Sequence, residues 1–387
     1  MIATNRSFIQ QRDYWAVAVT HFFVDVLNSS RNLLVAIIAV NLGLTNAQVG
    51  LALLLYNVGN ALSQPLFGWL ADRVGPRWLV VGGMGWMIGF FSLAALSGDW
   101  LALAALTVAG IGSGAFHPTG TMVASQVSAE YRSRATAVFF MSGQLGLFLG
   151  PILAGFLLEG YGRPAYLVLP FAAFIAFFSG WQWVTNTDHH THAAQAAQMA
   201  TAVVDTAKRN RRALLLAIII LSTGTTGFAA SSFAPKFFIE TGYAEGYIGL
   251  LTGLYMGGSA IGNVIGGFLG DRIKAKWVIA LATFIAVLPV YFYVPAAGAM
   301  RFVLLALAGF FVGMPHSLLV LSVQGLFPKR RAMGSGIALG FMFFGSSIGS
   351  YGLGFVADSV GLATVLQGTA VLPLIAAVAA ALLPSDD

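Results

Sequence analysis

Long apolar runs alternate along the chain with short breaks rich in charge, Gly, Pro or Asn. Roughly 20 apolar residues cross the hydrocarbon of a bilayer. By that measure the pattern predicts twelve spans. Six lie at 14–40, 47–71, 77–97, 100–127, 134–158 and 164–184, and six at 212–239, 246–270, 276–295, 301–326, 332–357 and 361–383. Each should be helical, because lipid offers no partner to an open backbone group. The first run is long and holds Asp25 and Arg31, with no small-residue cleavage site after a short apolar core, so it reads as a span and not as a signal peptide.

Composition agrees. Of 387 residues, 58% are hydrophobic and only 9% are Asp, Glu, Lys or Arg. A soluble domain carries about 25% charged residues to cover its surface. An all-α membrane protein is expected. No cysteine is present, which removes disulfides, thiolate metal sites and a Cys nucleophile.

The charges give the orientation. One set of loops takes sixteen of the 20 lysines and arginines: Arg6, Arg12, Arg73, Arg77, Arg132, Arg134, Lys208, Arg209, Arg211, Arg212, Arg272, Lys274, Lys276, Lys329, Arg330 and Arg331. The opposite loops hold Arg163 and Arg301, and Arg31 and Lys236 fall inside spans. Basic loops stay in the cytoplasm, so both termini are expected there, in a bacterial inner membrane. The net charge of +6 then serves topology and the lipid surface, and no nucleic-acid partner is expected.

A repeat at a fixed offset of 199 residues organises the spans. Asp72 and Arg73 meet Asp271 and Arg272, Trp78 meets Trp277, Tyr56 meets Tyr255, His117 meets His316, and Arg132 meets Arg331. Ten glycines of the first half, among them Gly50, Gly110, Gly146 and Gly155, also meet glycines. The register predicts two pseudo-symmetric six-helix bundles, at 1–185 and 212–387, joined by a cytoplasmic linker at 186–211. A parallel repeat about an axis along the membrane normal suits a transporter with its solute site at the midplane.

Several stretches carry a family resemblance. Gly68-Trp-Leu-Ala-Asp72-Arg73-Val-Gly75-Pro-Arg77 resembles the loop between helices 2 and 3 of the major facilitator superfamily, and Gly267 to Arg272 echoes it. Gly146-Leu-Phe-Leu-Gly150-Pro151-Ile-Leu-Ala-Gly155 resembles the fifth-helix motif of that superfamily's proton-coupled antiporters. His21-Phe22-Phe23-Val24-Asp25 and Phe116-His117-Pro118 are similar to its fosmidomycin-resistance branch, as are Leu42 to Gly50 and Gln64 to Gly68. Two positions depart from that branch. Leu34-Val35-Ala36 replaces its Leu-Pro-Pro run, and Thr119 stands where it often has an acidic residue. The resemblance implies proton-driven efflux of a drug or metabolite. It also implies a conformational latch at Gly68, Asp72, Arg73, Asp271 and Arg272, and a packing element at Gly146, Gly150, Pro151 and Gly155.

The residues themselves point the same way. His21, Asp25, Asn28 and Asn32 follow at steps of 4, 3 and 4, which keeps them within about 40° on one face of a helix. Arg31 lies beside that face. A charge inside a span costs at least about 2.5–3.5 kcal/mol, so such groups should face a cavity and act there. Asp25 and His21 are the candidates for proton coupling. Arg31, Asn28, Asn32, His117, His316, Gln144, Asn57, Tyr56 and Tyr255 are candidates for the solute. The bland alternatives are a structural Asp25–Arg31 pair, core histidines and interhelical glue. Gly68 and Gly267 should let helices approach closely. His189, His190 and His192 read as a solvated linker. No cofactor is expected, and no dedicated metal-ligand spacing is present.

These observations favour a monomeric secondary transporter working by alternating access. The solute would be small, polar and anionic, and protons would drive its efflux. An uptake symporter or a facilitator of an organic anion is the alternative. An intramembrane enzyme using His and Asp as acid and base is disfavoured, since catalysis has no need for two related halves.

Overall fold

The computed structural model describes residues 8–125, 132–186, 206–326 and 331–384. Most of the expected linker, with His189, His190 and His192, lies outside these, as do Arg6, Lys329 and Arg330. No strand occurs among the described residues. Twelve helical segments among them follow the predicted spans within a few residues. They are α1 (Arg12–Asn41), α2 (Asn46–Val74), α3 (Pro76–Leu96), α4 (Asp99–Ser125), α5 (Arg132–Tyr161) and α6 (Arg163–Trp183), then α7 (Arg209–Glu240), α8 (Glu245–Gly270), α9 (Ala275–Phe292), α10 (Gly298–Gly325), α11 (Arg331–Val360) and α12 (Leu362–Ala381). Eleven are long and apolar enough to cross a membrane. The twelfth, α2, is diluted by Asn57, Asn60 and Gln64 along one face.

Two compact units are present. The first holds residues 1–44, 55–190 and 238–253, and the second holds 45–54, 191–237 and 254–387. In the first unit α1 is the central helix. Its span is 78% buried, against 33% for α5, so its polar face meets protein and not lipid. Tyr14 ties it to α5 through a 2.8 Å hydrogen bond to the Ala135 carbonyl. In the second unit Leu216, Ile219 and Ile220 of α7 pack with Ile279 of α9, Leu318 of α10 and Ala376 of α12. Large exposed side chains such as Phe171 and Phe268 face outward, as expected of surfaces that meet hydrocarbon.

The repeat recurs as repeated contacts. Gly43 and Gly242, with φ of +63° and +82°, turn the chain into α2 and α8. In the first unit a Cβ on Gly110 would meet the Tyr56 carbonyl, and in the second a Cβ on Gly309 would meet the Tyr255 carbonyl. Gly155 lies on Glu245 and Gly246 in the first unit, and Gly354 lies on Asn46 and Ala47 in the second. Each of these contacts maps onto its counterpart by the same 199 residues. Glycine at these places lets two backbones touch.

Two local differences separate the repeats. α4 runs unbroken through His117 and Pro118. α10 breaks at Met314 and Pro315, just before His316, since Pro has no N–H and clashes with the preceding turn. The Ser317 N–H at that break donates to Asn263 Oδ1 at 3.0 Å. α7 also carries a π-helical turn at Ala229–Phe233.

Candidate functional site

In the first unit the polar face of α1 forms a continuous network. Asp25 is 7% exposed and His21 is 4% exposed. Nε2 of His21 lies 3.3 Å from Asp25 Oδ2, and Nε2 of His117, from α4, lies 3.7 Å from Asp25 Oδ1. Both imidazoles are held from behind. His21 Nδ1 is 2.8 Å from the Phe139 carbonyl of α5, and His117 Nδ1 is 2.8 Å from the Ser113 carbonyl. A carbonyl only accepts, so each Nδ1 carries the hydrogen and each Nε2 faces the carboxylate. His21 also stacks on Phe139, with ring centroids 4.2 Å apart. Thr119 supplies no carboxylate to α4; Asp25 supplies it from α1.

A proton on either Nε2 converts a repulsive pair of acceptors into a charge-assisted hydrogen bond. The ligand atoms of His21, Asp25 and His117 lie within 4.8 Å of one another. Asn28 Nδ2 donates to Asp25 Oδ1 at 3.0 Å, so that carboxylate oxygen already has a hydrogen-bond donor.

Asn28 extends the network. Its Nδ2 also donates to Ser113 Oγ at 3.1 Å, and its Oδ1 accepts from the Tyr56 hydroxyl of α2. The Tyr56 ring in turn carries the guanidinium of Arg31, whose Cζ lies 3.5 Å from the ring centroid. Arg31 is 4% exposed. Its Nη2 donates to Asn32 Oδ1 at 2.9 Å, but Nε and Nη1 have no hydrogen-bond partner among the described residues. It makes no ion pair with a described residue. The structural Asp25–Arg31 pair considered from sequence is therefore not formed; Asp25 is taken by two histidines and Asn28. Tyr166 of α6 borders the same region and shares a 2.6 Å hydrogen bond with Ser30.

α5 closes over this network with backbone. A Cβ on Gly143 would lie 2.5 Å from His21 Nε2 and 2.6 Å from Asp25 Oδ2. One on Gly146 would lie 3.2 Å from Asp25 Cβ, and one on Gly150 would lie 2.5 Å from the Val26 carbonyl. Sequence reasoning missed Gly143, Ser113 and Tyr166. Gly143 is one glycine among 46, and nothing local marks it.

The other candidates are placed differently. Asn57 and Asn32 are buried. Gln144 is half-buried and forms no hydrogen bond with the described residues. In the second unit His316 is half-buried and likewise unbonded to the described residues. Tyr255 is buried, with its hydroxyl 3.1 Å from where a Cβ on Gly227 would be.

At the expected latch, Arg73 lies over the Trp69 ring at 3.9 Å. Asp271 and Arg272 are exposed, and the Asp72 side chain is outside the described part. Gly68 and Gly267 do not mediate a tight approach. Their nearest neighbours from an added Cβ are 4.0 and 3.6 Å away, which is ordinary contact. The tight crossings lie at Gly110 and Gly309 instead. Pro151 and Gly155 of α5 face Gly249 of α8. Arg163 is structural. It pairs with Asp99 and donates to the Ser97 carbonyl at 2.7 Å, closing the turn between α3 and α4. A cavity of about 300 Å³ lies elsewhere on α1, lined by Phe22, Phe23, Leu153, Phe156 and Leu169, and is apolar.

Comparison with known proteins adds to this picture. The model of the Major Facilitator Superfamily matches residues 17–246 and 216–387. The fosmidomycin resistance protein of Escherichia coli (strain K12) is 27% identical over 369 residues, covering 93% of this chain and 90% of that protein. The multidrug resistance protein MdtG of Proteus mirabilis (strain HI4320) is 23% identical, covering 73% of this chain and 70% of that protein. Among solved structures, a bacterial homologue of the human lysosomal transporter Spinster, inward-facing and occupied, superposes with a TM-score of 0.77 over 96% of each chain at 14% identity. The nucleoside transporter NupG superposes with a TM-score of 0.75 at 14% identity, over 96% of this chain and 98% of its own. At that identity the two structures speak to fold alone.

Proposed function

Because this chain belongs to the Major Facilitator Superfamily, we propose that it moves a small anionic solute by alternating access and couples that movement to protons, in the direction of export. It is a multi-pass membrane transporter and not an enzyme. The observation that carries the anionic reading is Arg31. A buried guanidinium with donors left unpaired costs several kcal/mol of desolvation unless an anion completes it. Its ring support from Tyr56 fixes the plane of the fork, and an oxyanion such as a phosphonate or carboxylate fits its donors. Asp25, gripped by His21 and His117, is the proton carrier beside it. The relatives named for drug resistance support export. The segregation of basic loops supports an inner-membrane site with both termini in the cytoplasm, and a monomer suffices for the site.

One feature of the site favours a second reading. A proton in the His21–Asp25–His117 cluster and an anion at Arg31 attract one another, which suits their travelling together, as in an uptake symporter. The sign of the pH effect on binding separates the two. Tighter anion binding at low pH supports co-transport; weaker binding supports exchange. The coupling itself is tested in liposomes, with flux of a small phosphonate or carboxylate expected to collapse when the proton gradient is dissipated. Flux indifferent to the gradient, and unchanged by Asp25→Asn, would remove the proton claim.

A further inference from the structure

Asn28 occupies a place that neither solute binding nor proton binding explains. It sits on α1 between the two, three residues after Asp25 and three before Arg31. Every hydrogen-bonding direction that the network offers it is used. Nδ2 points to Asp25 and Ser113, and Oδ1 receives the Tyr56 hydroxyl. The orientation is forced. An ionised carboxylate only accepts, so the amide nitrogen must face Asp25 and the amide oxygen must face Tyr56. Tyr56 in turn bears the guanidinium of Arg31 on its ring.

We infer that Asn28 is the positioning residue that couples the proton cluster to the anion site, acting through Tyr56 on Arg31. The proposal rests on the reading of Arg31 and Asp25 given above and assigns the link between them. A change in the charge or position of Asp25 alters the acceptor that Asn28 serves. Its amide is stiff, so the change passes to the Tyr56 hydroxyl and to the ring on which Arg31 lies. By reciprocity, an anion that pulls Arg31 alters the proton affinity of the cluster by the same factor.

The groups that face Asp25 are few. α1 gives His21, and Arg31 by way of Asn28 and Tyr56. α4 gives His117, and α2 gives Tyr56. Among the described residues α5 presents Gly143 and Gly146 to Asp25, and its Phe139 carbonyl holds His21. The direct electrostatic path and the hydrogen-bonded path are separable, because removing the Asn28 amide leaves all of these charges in place.

The test measures anion dissociation constants of purified protein, with methylphosphonate and lactate as probes. For the native protein, affinity should change about five- to 150-fold between about pH 8 and pH 6, the usual range of site–site coupling. In Asn28→Ala that dependence should flatten to less than about threefold, whatever the absolute affinity. Tyr56→Phe keeps the ring under Arg31 but removes the hydroxyl, and should flatten it likewise. Undiminished pH dependence in both variants overturns the role of Asn28 and leaves the anion and proton sites standing. Loss of binding in both at every pH makes the pair solute contacts and overturns it too. A native protein that binds neither probe, or binds with no pH dependence, sinks the reading on which the proposal rests.

Discussion

The two repeats carry the same glycine contacts and opposite chemistry. Across the 199-residue offset Tyr56 is matched by Tyr255 and His117 by His316, but His21, Asp25, Asn28 and Arg31 are matched by Ile220, Gly224, Gly227 and Ala230. Even Ser113 and Tyr166 become Val312 and Val365. The register is structural as well as sequential. The Tyr56 hydroxyl reaches Asn28, and the Tyr255 hydroxyl points at Gly227, with Val312 close by. The second repeat thus holds a neutral copy of the site. Close backbone crossings survive duplication because any side chain there would clash. Charges in a span cost at least about 2.5–3.5 kcal/mol each and need a partner or a task. The asymmetry between matched positions supports the reading that places the chemistry on α1.

The division between a charged and a neutral repeat stands or falls first on Asp25→Asn. An amide cannot exchange the proton that the carboxylate would carry, so gradient-driven flux should collapse towards the background of protein-free liposomes. Gly224→Asp, placed in the second repeat of that variant, should restore nothing, because Ile220 stands where a histidine would be needed. Recovery of flux would mean that the repeats are interchangeable.

Arg31→Ala should follow in size. Hydrogen bonds to a charged group are worth about 1.5–3 kcal/mol, so anion affinity in a thermal-shift or direct binding titration should weaken about ten- to a hundredfold. Arg31→Lys should recover only part of this, since an ammonium lacks the planar fork that stacks on Tyr56. Full recovery would reduce Arg31 to a point charge.

Gly143→Ala probes the same contrast through packing. Its methyl would press on His21 and Asp25, and overpacking of this kind costs about 1–3 kcal/mol of stability. The equivalent position in α11 is Met342, a partly buried side chain packed against the core of the second unit. Thermal unfolding in detergent should show Gly143→Ala clearly lowered and Met342→Leu nearly unchanged, as volume-conserving swaps cost under about 1.5 kcal/mol. Equal shifts would deny that α5 closes tightly over the cluster.

Periodicity made much of this visible in the sequence. Span positions follow from apolar length, and the His21–Asp25–Asn28–Asn32 face follows from helical spacing. The duplication was legible because Trp, His and Asp-Arg pairs recur in one register. What sequence could not supply was which partner each polar group finds. His117 and His316 look alike in sequence, yet only His117 meets a carboxylate among the described residues, because that carboxylate sits on α1 and its counterpart on α7 is a glycine. Arg31 stands one position off the polar face, so its support by Tyr56 depends on how α2 crosses α1. Gly68 and Gly267 looked like close-contact glycines from their motif, whereas tight approach falls at Gly110 and Gly309, which the repeat pairs but no local motif distinguishes from the other paired glycines.

The smallest effect is the most discriminating. Tyr255→Phe removes a hydroxyl that faces Gly227, so no hydrogen bond to a described residue is lost. Stability should move by less than about 0.5 kcal/mol, below the worth of one ordinary hydrogen bond. The pH dependence of anion binding should stay native. The same one-atom deletion at Tyr56 severs the contact to Asn28 and should flatten that dependence. Two tyrosines on matching backbone would then differ only in what α1 and α7 place opposite them. If Tyr255→Phe flattened the profile as Tyr56→Phe does, the second repeat would share in the coupling, and the assignment of the chemistry to one copy would fail.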